Sequence, residues 1–236
     1  MSTHPIIIGQ SVANMVRFPH SAAAPKGAAR GTACGSSLID KHIAANFYPT
    51  PPEATLALLS VETFEGSIWE PACGKGHIAN VLKANGHNVV CTDLNDWGYG
   101  ITGVDYLKEL RPRAKHIVTN PPYGSGLADD FILKSLAFMA HTGGKVAMLL
   151  NLSSLAHQSR TKFWRAMPPA RIYAVDSVVC WPDPTREPPR HFQQHRYCWC
   201  VWEPNHQGAS SFWWLSAADF RNVSTNHNKN TERTYS

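Results

Sequence analysis

Residues 67–82 read SIWEPACGKGHIANVL, and how that passage divides decides the fold. SIWE has the near-continuous apolar content of a strand covered on both faces. PACGKG cannot continue it, because proline lacks an N–H and two closely spaced glycines favour a tight turn. HIANVLKAN then returns apolar residues at helical spacing. Strand, glycine turn and helix make the first part of a βαβ unit, in which Gly74 and Gly76 let backbone approach a ligand closely. A structural turn uses glycine just as readily, so the surrounding sequence must decide between the two.

Outward from this passage the alternation continues. NVVCTDL, HIVTN and KVAMLLN read as further buried strands. PEATLALLSV, LADDFILKSLAFMAH and SRTKFWRAM read as helices, with Leu127, Phe131, Ile132, Leu136 and Met139 on overlapping faces of the second. After Arg171 come two strand-like stretches, RIYAVDSVVCW and RYCWCVWEP, joined by the proline- and arginine-rich PDPTREPPRHFQQH. Two strands with no helix between them predict an antiparallel pair finishing a doubly wound α/β sheet.

Composition narrows the class. The chain has 236 residues, 43% apolar and 17% charged, as expected of one globular domain with appendages. No apolar run approaches the roughly 20 residues of a bilayer span, and the N-terminus lacks the pattern of a secretion signal, so we expect a cytoplasmic protein with no membrane contact. Cys34, Cys73, Cys91, Cys180, Cys198 and Cys200 form no CxxC pair and read as buried reduced thiols, with no metal site. A net charge of +5 permits an acidic partner such as nucleic acid. The expected organisation is a flexible segment over residues 1–40, a catalytic domain over 41–220 and a polar tail over 221–236.

Three further features bear on chemistry. Asp93, in VVCTDLND, stands about 20 residues past the glycine turn at the end of the next strand, where a carboxylate can accept bonds from ribose hydroxyls. Asp105, in GVDYL, is expected near the end of a third strand at the same sheet edge; alone it reads equally well as a solvated loop residue. HIVTNPPYGSG then places Asn120, Pro121, Pro122 and Tyr123 at the end of a buried strand, where two prolines cannot extend helix or central strand.

Together these motifs resemble the class I S-adenosylmethionine-dependent amino-methyltransferases of DNA. The resemblance covers residues 45–155 and rests on EPACGKG at 70–76, Asp93, DYL at 105–107 and NPPY at 120–123, in that order, preceded by FYPTP at 47–51. It implies a Rossmann-like doubly wound, mostly parallel seven-stranded sheet with an antiparallel terminal strand, and S-adenosylmethionine as cofactor. It carries cofactor binding onto Tyr48 and Thr50, onto Glu70, Pro71, Ala72, Cys73, Gly74 and Gly76 of the turn, onto Asp93 with Leu94, and onto Asp105 with Tyr106. Catalysis falls on Asn120, Pro121, Pro122 and Tyr123. Packing explains Cys73 as well as chemistry does, and His77 reads as a first-turn helix residue.

An exocyclic amine is a poor nucleophile because its lone pair is delocalised into the ring. The Asn120 side-chain oxygen and the Pro121 carbonyl, set against its two N–H bonds, would favour charge developing on the nitrogen. Proline holds both acceptors rigid, and Tyr123 offers a face for stacking a base flipped out of the duplex. For the substrate we expect Trp181, Arg186, Arg190 and Phe192 of the loop between the last strands to stack on the base or meet phosphate; SRTKFWR reads as a solvated helix face.

The motif order is the gamma arrangement, and the chain left beyond it is too short for a full recognition domain. We therefore expect a DNA N6-adenine methyltransferase of short or relaxed specificity, or one aided by a protein partner. The terminal HRYCWCVWEPNHQG resembles phage and prophage enzymes, which implies self-protection from restriction. RNA adenine and protein-glutamine methyltransferases also use NPPY, though they typically lack FYPTP. N4-cytosine enzymes more often carry Ser or Asp in place of Asn120. A non-catalytic nucleic-acid binder is disfavoured by intact Asn120, Asp105 and Asp93.

Overall fold

The computed structural model describes residues 46–182 and 187–221, without the side chains of Ser125 and Phe192. The expected segment 1–40, the tail beyond Arg221, and Arg186 lie outside those residues. Seven strands form one sheet: β1 (Ile68–Glu70), β2 (Val89–Cys91), β3 (His116–Thr119), β4 (Val146–Asn151), β5 (Arg171–Val175), β6 (Tyr197–Trp202) and β7 (Ser211–Leu215), in the order β2-β1-β3-β4-β6-β5-β7. All are parallel except β6, which runs antiparallel between β4 and β5. The sheet is thus mostly parallel and doubly wound, as the alternation predicts.

Two details differ from expectation. The antiparallel strand is interior and penultimate: β6 has every residue buried, and the chain goes on to add β7 parallel to β5 at the edge. SFWWL hides its strand character because three consecutive aromatics show no alternation. No third strand precedes Asp105 either; one isolated bridge, Thr92 to Ile101, stands in its place, and Asp105 instead starts the 3-10 turn Tyr106–Lys108. The glycines of 98–103 favour loop there over a ladder.

Helices cover both faces: α1 (Pro52–Leu59), α2 (His77–Ala84), α3 (Leu127–Thr142) and α4 (Thr161–Ala166), with the single turn α5 (Arg190–Gln193) in the β5–β6 connection. Pro52 opens α1, where its missing N–H has no partner to lose. α1 and α2 pack Leu58, Ile78 and Leu82 against Leu149, Trp199 and Val201, while α3 and α4 pack Phe131, Ile132 and Phe163 against Trp69, Met148 and Trp202. On α3 the buried stripe is Ala128, Phe131, Ile132, Ser135 and Phe138, offset from the expected one because Ser135 meets the Tyr106 hydroxyl at 2.5 Å. The three core indoles are satisfied: Trp69 donates to Thr92 Oγ1, Trp199 to the Ala54 carbonyl and Trp202 to the Met167 carbonyl. The five described cysteines are buried free thiols.

One buried carboxylate ties the amino end of the sheet to α1. Glu62 accepts from Lys145 Nζ at 2.8 Å, from the Tyr173 hydroxyl at 2.9 Å and from Arg171, which also reaches Glu203. Burial alone would raise the Glu62 carboxyl, but hydrogen bonds from Arg171, Lys145 and Tyr173 outweigh it and hold it below its ordinary 4.5. Replacing Glu62 by Gln should cost about 3 kcal/mol, the low end for breaking a buried ion pair, because both cations still reach water. A lowered carboxyl stabilises above its unfolded pKa and loses that contribution as pH falls through the folded value. Urea midpoints of wild type and Glu62→Gln should therefore differ at neutral pH and converge as pH falls below the ordinary 4.5 and through the lowered folded value.

Candidate active site

The glycine turn takes its shape from close contacts. Gly76 caps α2 with φ +82°, and a Cβ there would sit 2.4 Å from the Tyr99 ring. Gly74 has φ +51°, and its Cβ would sit 2.8 Å from Phe47 Cε2. Asp93, just past β2, binds this turn: its Oδ2 accepts from the Gly74 amide at 2.8 Å, and its Oδ1 accepts from the Asn95 amide at 2.8 Å and from the Trp97 indole at 3.2 Å. Burial raises the Asp93 carboxyl in spite of these donors.

At the carboxyl ends of β1, β2 and β3 a cavity of about 370 Å³ opens, lined by every residue nominated above for the cofactor except Gly76, and by Asn120, Pro121, Pro122 and Tyr123. Glu70 lines it, accepts a bond from the Ala79 amide, and is driven well above the usual carboxylate range chiefly by burial and also by Asp93. Its Oε2 is buried with no hydrogen-bond partner. Asp105 stands at the rim, with Oδ1 accepting from the Leu107 amide and Oδ2 paired with exposed Lys108. Tyr106 reaches the wall but packs edge-on to Trp69 with its hydroxyl on Ser135, so its main contacts are with the core.

Residues not foreseen complete the cavity. Phe47 and Trp97 line it as a ring pair with centroids 4.5 Å apart, and His77 adds a third ring 6.0 Å from Phe47. Phe47 lies inside FYPTP, so a signal existed; Trp97, four residues beyond Asp93, left none beyond its type.

Asn120 ends β3 and is held by the chain that precedes α1. Its Nδ2 donates to the Tyr48 carbonyl and to Thr50 Oγ1, each at 3.0 Å. A carbonyl only accepts, so the amide nitrogen must face Tyr48 and Oδ1 must face the other way. Oδ1 accepts from the Tyr123 hydroxyl, which also lies 2.8 Å from the Leu149 carbonyl. Burial pushes the Tyr123 phenol well above its ordinary range, so it remains a neutral donor. Its ring does not wait as a free stacking face: it is half-buried against both core clusters.

Beyond Tyr48 and Tyr123 lies a second cavity of about 470 Å³. Both tyrosines and Asn46 line the two cavities in common, and the second adds Tyr197, Asn151, Arg160 and His195. Asn151 and Tyr197 are direct partners across β4 and β6. Arg160, read from sequence as part of a solvated face, instead pairs with Asp129 and stacks 4.7 Å from the Trp164 ring. Trp181 and Arg190 are not among the described residues lining either cavity, and the Phe192 side chain lies outside the description.

Among the described residues no cluster is suited to a metal ion, and no helix is long and apolar enough to cross a membrane. Gly76→Ala should lower stability by about 1–2 kcal/mol, because an alanine at that φ is strained wherever Tyr99 moves. Adding Tyr99→Ala should relieve the clash and leave the backbone strain, read as a partial recovery of the thermal midpoint.

No protein-family profile and no curated protein matches the chain. Solved structures do resemble it. A candidate class I S-adenosylmethionine-dependent methyltransferase from Listeria monocytogenes superposes with TM-score 0.50 at 15% identity, over 78% of this chain and 71% of that one. A candidate RNA methyltransferase from Pyrococcus horikoshii superposes with TM-score 0.50 at 14% identity, over 68% of this chain and 89% of that one. The seven-stranded, mostly parallel sheet with its antiparallel strand has the Rossmann-like fold of these methyltransferase structures.

Proposed function

We propose that this chain transfers the methyl group of S-adenosylmethionine to the exocyclic N6 amine of adenine in DNA. The observation that carries the reading is that Asn120 lines the first cavity and is bonded at both ends by the two tyrosines that line both cavities, Tyr48 through its carbonyl and Tyr123 through its hydroxyl.

The residues of the first cavity fit the cofactor. The unpartnered Glu70 Oε2 complements an ammonium group, and Gly74, packed under Phe47, lines the same cavity. Asp93 keeps acceptor capacity for a ribose hydroxyl, Thr50 keeps a hydroxyl proton to donate to a carboxylate, and Phe47 and Trp97 offer flat faces to a purine. When bound, the cofactor supplies an electrophilic methyl carbon on a sulfonium sulfur.

The chain's own part is to make an amine nucleophilic. Asn120 Oδ1, oriented by the bonds its nitrogen makes, accepts one N–H of the substrate, and the rigid Pro121 carbonyl accepts the other. Charge then develops on nitrogen against fixed acceptors, with no strong base required. The Tyr123 phenol now on Oδ1 competes with that amine and yields to it. The second cavity suits a planar base extruded from the stack: Tyr48 lies beside it for one face, and Asn151, Arg160 and His195 line it for the polar edge.

FYPTP beside Asn120 favours DNA over RNA or protein glutamine, and Asn rather than Ser or Asp at 120 favours adenine over cytosine. We take residues 41–220 as the catalytic unit. For this unit we propose short or relaxed sequence specificity, or a protein partner that supplies it, and a role in marking DNA against restriction.

Incubation with tritiated S-adenosylmethionine and unmethylated DNA, with RNA in parallel, followed by nucleoside chromatography, should give labelled N6-methyladenine in DNA; label confined to RNA or to protein would overturn the substrate. Asn120→Ala should lower kcat by about 10²–10³-fold, as for loss of one preorganised hydrogen-bonding group, with cofactor affinity near wild type. Asp93→Ala should weaken cofactor binding first.

A further inference from the structure

Among the described residues, β7 closes the sheet at an edge with one side paired. Ser211–Leu215 register with Arg171–Val175 of β5; the Ser211 amide donates to the Ala170 carbonyl at 3.0 Å, and the Asp176 amide donates to the Leu215 carbonyl at 3.1 Å. In a parallel ladder, alternate residues of a strand bond the same neighbour. Ser211, Trp213 and Leu215 therefore face β5, and Phe212 and Trp214 direct their N–H and C=O groups to the open side. The strand carries none of the usual edge guards: no Lys, no Pro, no charge.

Its side chains are as open as its backbone. Phe212, Trp213 and Trp214 are 43%, 56% and 79% exposed. Phe212 and Trp214 form an edge-to-face pair, 5.2 Å between centroids, on one face; Trp213 projects from the other and donates to Ser211 Oγ.

From these features we propose that β7 pairs with β7 of a second copy of this chain, antiparallel, about a two-fold axis at Trp213. In that register Phe212 of one copy stands opposite Trp214 of the other, and the two exchange the backbone bonds that now point outward. The two Trp213 rings meet on the opposite face, at the closer non-hydrogen-bonded position of the ladder. A self-complementary pairing of this kind closes on itself and forms no filament.

The area sets the strength. At these exposures the three rings offer roughly 350 Å² per copy, against about 800 Å² per partner in a standard stable interface. The dimer is accordingly reversible and dependent on concentration. Nucleic acid is the poorer occupant: residues 203–216 include Glu203 and no Lys or Arg to meet phosphate. β5 separates the edge from β6 and β4, whose ends line the second cavity, so pairing leaves that cavity accessible. The inference is independent of the methyl-transfer reading.

Sedimentation velocity of the full chain over about 1–100 µM should show a monomer–dimer equilibrium. Trp214→Lys and, separately, Phe212→Lys should each raise the dimer dissociation constant at least tenfold, with an unchanged far-UV circular dichroism spectrum. A wild type that stays monomeric throughout the range overturns the proposal without any variant, as does a folded Trp214→Lys that dimerises like wild type. A monomeric wild type whose binding to single-stranded DNA falls in Trp214→Lys would also overturn it, and would assign the aromatic strip to nucleic acid.

Discussion

The bonds on the Asn120 carboxamide organise this molecule. Its nitrogen holds the Tyr48 carbonyl and Thr50 Oγ1, which fastens the segment before α1 across the carboxyl end of the sheet. Its oxygen, left facing the opposite way, meets Tyr123 at the boundary between two cavities. A single side chain thus fixes both a wall of the site and the direction of its principal acceptor. An Asp at this position would lack the N–H donors and could not bond a backbone carbonyl in the same way.

The same economy appears around β1 and β2. Asp93 holds the Gly74 amide, so the glycine turn is positioned by the carboxylate we propose for the cofactor ribose. The turn is tight enough that Phe47 and Tyr99 fill the space any Cβ would need. Glu70 is the one carboxyl here with a buried oxygen left unbonded, and burial drives it well above the ordinary carboxylate range. At the opposite end of the sheet Glu62 is fully partnered by Arg171, Lys145 and Tyr173. That contrast is what leads us to propose a ligand as the complement of Glu70 and to read Glu62 as structural.

The parts of the fold and site legible in sequence were those dictated by local chemistry. Gly74 and Gly76 announce a turn that only glycine fits; Pro121 and Pro122 announce the end of a strand; PEATLALL and HIANVLKA announce helices by spacing. What escaped depends on pairing across long separations. Asn151 and Tyr197 become neighbours only through the β4–β6 register, so the second cavity could not be read from spacing, and the loop residues chosen instead, Trp181 and Arg190, do not line it. Asp105 was expected on a strand that the glycines of 98–103 replace by a loop and one bridge. Arg160 looked solvated until α3 supplied Asp129 and α4 supplied Trp164.

The account stands on Asn120 Oδ1 being the acceptor for a substrate amine beside the two tyrosines that line both cavities. A crystal structure of the protein with S-adenosylhomocysteine and an adenine-containing oligonucleotide tests this most directly. The account predicts the cofactor product in the cavity lined by Glu70 and Asp93, an adenine in the cavity lined by Tyr197 and Asn151, and the adenine amine on Asn120 Oδ1 in place of the Tyr123 phenol. An adenine bound elsewhere, with the Tyr123–Asn120 bond intact, would contradict it.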